Sequence, residues 1–192
     1  MTRTWRLLAL GLGSAALAGC TLVPTGDSPV ALSHTRVPFG LLAPTIPGTN
    51  GAQVRFITQP VYVVDATGHL APSSRIVPSP PSLDTVLHEL VLGPTAIEAS
   101  AGYTSALPTD LVILAASVKA GVAQVALAKP LSTLSRRREV LALGQLVFTA
   151  HAVGASSGLE VTVGGVIEPL LLPDGKSRTR VTEADYQSLL NP

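Results

Sequence analysis

The sequence holds one cysteine, Cys20, one methionine and one tryptophan in 192 residues, and aromatics make up only 4%. A lone cysteine excludes an internal disulfide framework and any cysteine-rich metal site. With so few rings, a core has to be assembled from alanine, valine and leucine. Charge is also sparse, at 13% of residues against the ~25% usual for a globular chain. The formal net charge is +1, which gives the whole molecule no electrostatic case for binding nucleic acid. Neither a Walker loop nor a dinucleotide fingerprint occurs, since Gly11-Leu12-Gly13 belongs to the export signal described next. The histidines, His34, His69, His88 and His151, show no HExxH or close His–carboxylate ligand spacing. They read as surface or half-buried side chains, so neither a metal nor another cofactor is expected.

The N-terminus has the form of an export signal. Arg3 and Arg6 form a short basic region, and Leu7–Ala16 is apolar but shorter than the ~20 residues needed to span a bilayer. Leu17-Ala18-Gly19-Cys20 then resembles the lipobox of bacterial lipoproteins, which is cut before the cysteine. That resemblance implies a signal peptide over residues 1–19 and a diacylglycerol and acyl group (palmitate type) on Cys20. More than one buried chain is what stable anchoring requires. The expected location is the extracytoplasmic face of the cell membrane. Removing Arg3 and Arg6 leaves eleven basic against twelve acidic side chains and no free thiol. Residues 20–52 alternate proline (Pro24, Pro29, Pro38, Pro44, Pro47) with glycine and carry no apolar period. They read as a flexible tether with a reach of roughly 30 Å.

A single folded domain is expected over 53–192, with 46% apolar residues in the whole chain to supply its core. Val54–Ile57 and Val61–Val64 look like short strands broken by Pro60, and Thr67-Gly68 turns the chain into a strand over Leu70–Val77. Ser82 suits an N-cap, followed by Leu83, Val86, Leu87, Leu90 and Val91 at the spacing of one buried helical face. Leu111–Val118 and Val122–Ala128 read as a hairpin about Lys119-Ala120-Gly121. A second helix is expected over Arg136–Val153 with Val140, Leu143, Leu146, Val147 and Ala150 inward. Gly144 inside it costs about 1 kcal/mol relative to Ala, which suggests a close helix–sheet contact. Gly164-Gly165 favours a type I′ turn between strands over Glu160–Val163 and Val166–Leu172. Thr182 and Asp185 have the spacing of a capping box for a last short helix. Strand pairs alternating with helices imply an α+β two-layer sandwich, with an antiparallel or mixed sheet and helices packed on one face.

Between the first helix and the Leu111 strand lies the most distinctive wording of the chain. Leu90-Val91-Leu92 is followed by Gly93-Pro94-Thr95, then Glu98, then Ser105-Ala106-Leu107-Pro108. Gly93 frees the backbone to end a helix and Pro94 cannot continue one. This wording resembles the GerMN domain of sporulation and spore-germination proteins. So do the aromatic-bearing strand ending at Asp65 and the segment Leu143–Thr149, together covering roughly residues 53–190. The resemblance implies a compact α+β module outside the cytoplasm, with protein association rather than catalysis as its role. It brings no catalytic residue. Gly93 and Pro94 should shape a turn, and Glu98 should cap or pair with a nearby backbone group.

Two further features carry chemistry on paper. Gly154-Ala155-Ser156-Ser157-Gly158 satisfies G-x-S-x-G, yet a nucleophile elbow needs a strand entering and a helix leaving. Here a helix enters and a strand leaves, so an ordinary loop is expected and no enzyme activity. Arg136-Arg137-Arg138 opens the second helix, where each cation is unfavourable by about 0.3–1 kcal/mol against the macrodipole. They are candidates for contact with an anion or a partner; otherwise they form a solvated cluster that Glu139 partly relieves. The sequence therefore implies a membrane-anchored lipoprotein with a non-catalytic interaction or scaffolding role in the envelope and an envelope protein as partner. The alternative is a binding lipoprotein for a wall polymer or small ligand, held on the exposed face of the sheet.

Overall fold

The computed structural model describes residues 54–190. The expected signal peptide, the expected lipidation at Cys20 and the expected tether lie outside the described residues. β1 (Phe56–Val64) and β2 (Leu70–Pro78) form an antiparallel hairpin. Its turn is set by Asp65, whose Oδ1 accepts from the Thr67 and His69 amides at 2.8 and 3.0 Å, and by Gly68 at φ +85°. The break expected at Pro60 is absent, and β1 runs through it. Two residues on, the Tyr62 N–H points away from β2 toward a helix. The nitrogen of Pro60 shares that side, so the ladder to β2 loses no donor there.

α1 (Leu83–Val91) starts at Ser82, whose hydroxyl accepts from Thr85 N as expected, and buries Leu83, Val86, Leu87 and Leu90. A short helix not anticipated from sequence follows, α2 (Ala96–Ser100). β3 (Ile113–Lys119) and β4 (Val122–Leu127) form the next hairpin, with Ala120 and Gly121 both at positive φ. α3 (Arg136–Ala152) then crosses to β5 (Gly158–Val163), which pairs in parallel with β4. β6 (Val166–Ile167) returns antiparallel to β5 through Gly164 and Gly165, both at positive φ, the type I′ geometry expected. The strand expected over Val166–Leu172 divides. Pro169 offers no donor, and β7 (Leu170–Leu171) leaves the sheet to pair with β8 (Ser177–Arg178). α4 (Glu183–Tyr186) begins with the expected capping box, the Asp185 carboxylate accepting from Thr182 N.

The fold is α+β. A mixed sheet in the order β3-β4-β5-β6 presents Ala123, Val125, Leu127, Leu159 and Val161 to the helices, while Gln124, Glu160 and Thr162 face the other way. α3 touches β1 and β5, and α1 touches β1 and β3, so the β1–β2 hairpin covers the helices on the side away from that sheet. This is why α3 is buried through the whole of Val147–Ala150 and on both sides of Leu143. Gly144 is the contact point: a Cβ there would lie 2.7 Å from Leu70 Cδ1 and 2.9 Å from Leu189 Cδ1. Among the described residues no helix is long and apolar enough to cross a membrane.

Candidate functional site

The Gly-Pro-Thr wording resolves into an ion-pair staple. Thr95 Oγ1 accepts from the Glu98 amide at 3.3 Å and a Glu98 oxygen accepts from Thr95 N at 2.6 Å, a complete capping box for α2. The same carboxylate accepts a two-pronged pair from Arg75, Nη1 to Oε1 at 2.8 Å and Nη2 to Oε2 at 2.9 Å. Ser73 Oγ donates to it as well. Arg75 Nη2 also donates to the Gly93 carbonyl at 3.1 Å. Glu98 thus ties β2, the end of α1 and the start of α2 together. The Arg75 guanidinium holds its carboxyl below the usual carboxylate range, against the opposing effect of burial and with help from the Thr95 amide. Arg75 is 7% exposed. Its signal in the sequence was its place on the buried side of β2, two residues before Val77.

Ser105-Ala106-Leu107 is held from α3. Gln145, fully buried, accepts from the Ala106 amide at 2.8 Å through Oε1 and donates to the Tyr62 carbonyl at 2.8 Å through Nε2. Thr149 Oγ1 accepts from Tyr62 N at 3.0 Å, and Gln59 Nε2 donates to the Ala152 carbonyl at 2.7 Å. Polar side chains of α3 and β1 therefore complete an edge that, among the described residues, no strand covers beyond the bridge of Val64 to Thr104.

The arginine triplet divides. Arg138 donates to the carbonyls of Ala106 and Leu107 at 2.9 and 3.2 Å, so it fixes the loop rather than facing outward for a ligand. Arg136 and Arg137 line a cleft of about 510 Å³ with Gly68, His69, Val140, Leu141, Pro173, Ser188 and Leu189. Glu139 does not relieve them. It turns inward, 8% exposed, and burial pushes its carboxyl up.

Ser156 lies between α3 and β5, with the element order expected of a plain loop. It shares a cleft of about 220 Å³ with His151 and Glu183, whose Nε2 and Oε2 are 2.9 Å apart. No hydrogen bond joins Ser156 Oγ to His151 among the described residues, so the nucleophile–base contact of a serine triad is not formed. Among the same residues no group of three or more His, Cys, Asp or Glu gathers to hold a metal.

The open face of the sheet is lined with small and polar side chains, among them Ala115, Ser117, Gln124, Glu160 and Thr162, around a shallow cleft of about 310 Å³. Glu160 is held there by Arg180 at 2.7 Å. β3 closes the strand order on one side. Val112 and Leu114 on that side are 53% and 64% exposed.

This is an α+β module in which a helix layer sits between a mixed sheet and a hairpin, tied by a Glu98–Arg75 staple. Residues 60–168 match the family model described as Germane: Sporulation and spore germination, more than half of the chain, and the chain belongs to that family. Two solved structures share its fold. One is the tandem GerMN domains of the sporulation protein GerM from Bacillus subtilis, at 14% identity and a TM-score of 0.53, covering 68% of this chain and 48% of that one. The other is the first GerMN domain of the same protein, at 16% identity and a TM-score of 0.52, covering 67% of this chain and 99% of that one. The chain thus spans about half the length of the tandem structure. No curated protein matches it.

Proposed function

We propose that the protein is a lipid-anchored, extracytoplasmic module of the cell envelope that works by associating with another protein and catalyses no reaction. The observation that carries the association is the outer edge of β3. No strand lies beside it among the described residues, and Ile113–Val118 is an uncharged run ending only at Lys119. Exposed edges are ordinarily guarded by charge, proline, bulges or cover, and on β3 the guards are a register shift between Ile113 and Ala115 and the terminal Lys119. An edge bearing Leu114 and Val118 in the open suits an extended, apolar segment of an envelope protein, added as a further strand. The anchor rests on Leu17-Ala18-Gly19-Cys20.

The test replaces Leu114 and Val118 together with lysine. Leu114 is 64% exposed and Val118 36%, so the melting temperature should fall only slightly while the partner captured by in-cell crosslinking is lost. Capture of the same partner by the L114K/V118K chain would overturn the proposal. The other reading, a binding lipoprotein for an anionic polymer or small ligand, draws support from Arg136 and Arg137 at their cleft.

A further inference from the structure

Among the described residues five lysines and arginines are in ion pairs: Arg75, Lys129, Lys176, Arg178 and Arg180 each face a carboxylate. Arg138 is committed to two carbonyls. Arg136 and Arg137 have neither kind of partner among the described residues. They stand side by side at the start of a helix, where like charge and the macrodipole both oppose them. Both side chains are exposed, and each guanidinium lies beside a glycine. A Cβ on Gly68 would lie 3.0 Å from Arg137 Nη2, and one on Gly175 would collide with Arg136 Nη2. Two turns, one in the β1–β2 hairpin and one between β7 and β8, leave room for the two heads by having no side chain at those positions. The cleft they line contains no carboxylate, and its remaining wall is largely apolar, with Val140, Leu141, Pro173 and Leu189.

We propose that this cleft binds a phosphate-bearing ligand through Arg136 and Arg137. A carboxylate lies in one plane and matches one guanidinium fork with its two oxygens, as Glu98 does with Arg75. A phosphate presents oxygens in several directions and accepts from two forks at once. Ser188 offers a hydroxyl nearby. The volume, about 510 Å³, suits a headgroup with part of an apolar body rather than a bare ion alone. Pro173, Gly175, Ser188 and Leu189 come from beyond residue 168, where the family match ends. The site therefore depends on a segment of this chain outside the matched region. It needs neither the β3 edge nor the anchor.

The ligand chemistry has two sources, a phospholipid headgroup or a soluble phosphate, and titration calorimetry separates them. The full chain, purified in a neutral maltoside detergent, is titrated with inorganic phosphate and with monomeric dihexanoyl phosphatidylglycerol. Binding by either supports the site. An affinity about tenfold higher for the phosphatidylglycerol assigns the lipid headgroup, and equal affinities assign free phosphate. The R136Q/R137Q chain should lose at least about tenfold in affinity. Its melting temperature should be unchanged or higher, because two opposed charges are gone. Single R136Q and R137Q chains should each lose a smaller factor. K119Q removes an unpaired cation from the open sheet face and should bind as the wild type does. Absence of binding by both probes up to about 10 mM, or equal binding by R136Q/R137Q, would overturn the proposal.

Discussion

Replacing Glu98 with alanine should be among the most damaging single changes to this domain. The side chain is 14% exposed and its partner Arg75 only 7%. Removing the carboxylate leaves a guanidinium buried with two carbonyls, those of Ser74 and Gly93, and the Ser73 hydroxyl as acceptors. Breaking a buried pair from one side costs about 3–5 kcal/mol, and the lost capping box of α2 is included in that figure. For a domain of this size the shift in melting temperature should be roughly 10–20 °C. Glu98→Gln keeps the shape and one acceptor, so it should cost less. The double variant R75M/E98Q removes both charges and should be less damaging than the sum of its singles, by about 0.5–3 kcal/mol. Acid should act on the same contact. Glu98 has a lowered folded value, so its contribution is present above the unfolded value of about 4.3 and is lost as pH falls through the folded one. The wild type should lose stability more steeply than Glu98→Gln below about pH 4.3, and the two curves should converge in acid. Thermal and urea unfolding followed by circular dichroism measures all of this. A melting temperature within about 1 °C of wild type for Glu98→Ala, or strict additivity in the Arg75–Glu98 cycle, would refute the reasoning.

Three other outcomes are expected. Gly144→Ala should destabilise by about 1–2 kcal/mol despite the better helix propensity of alanine, because crowding Leu70 and Leu189 outweighs it; thermal unfolding checks the sign. Gln145→Leu should cost about 2–4 kcal/mol by orphaning the Ala106 amide and the Tyr62 carbonyl, with faster hydrogen exchange at Ala106. Cys20→Ser should move the protein from the membrane fraction to the soluble extracytoplasmic fraction, read by fractionation and immunoblot.

Features written in local sequence were legible. Ser82, Thr182 with Asp185, and Gly164-Gly165 each specify their geometry within a few residues, and each takes it. Glu98 was expected to cap or pair with backbone, and it does cap Thr95. Its main partner was hidden because Arg75 lies 23 positions away on another element. Thr95-x-x-Glu98 is itself a capping signature for α2, but the adjacent Gly93-Pro94 gives the stronger local signal, that of a turn. Gln145 was overlooked for a similar reason. On a helix periodicity assigns faces, and it cannot say that an inward amide will complete the edge of β1, 83 residues earlier. Pro60 misled because its cost depends on which edge it faces, and that depends on where α3 lies. The arginine triplet was noticed as a unit, but tertiary contacts divide it. Arg138 holds a loop, while Arg136 and Arg137 line a cleft.

The claim at the centre of this account is association with a protein through the outer edge of β3. A photoreactive benzoylphenylalanine placed at Leu114, in cells carrying the otherwise unaltered chain, tests it most directly. Leu92 serves as the comparison position, equally exposed but at the end of α1. A discrete crosslinked envelope protein is expected from position 114 and none from position 92. Crosslinks from position 92 alone, or none from position 114, would contradict it.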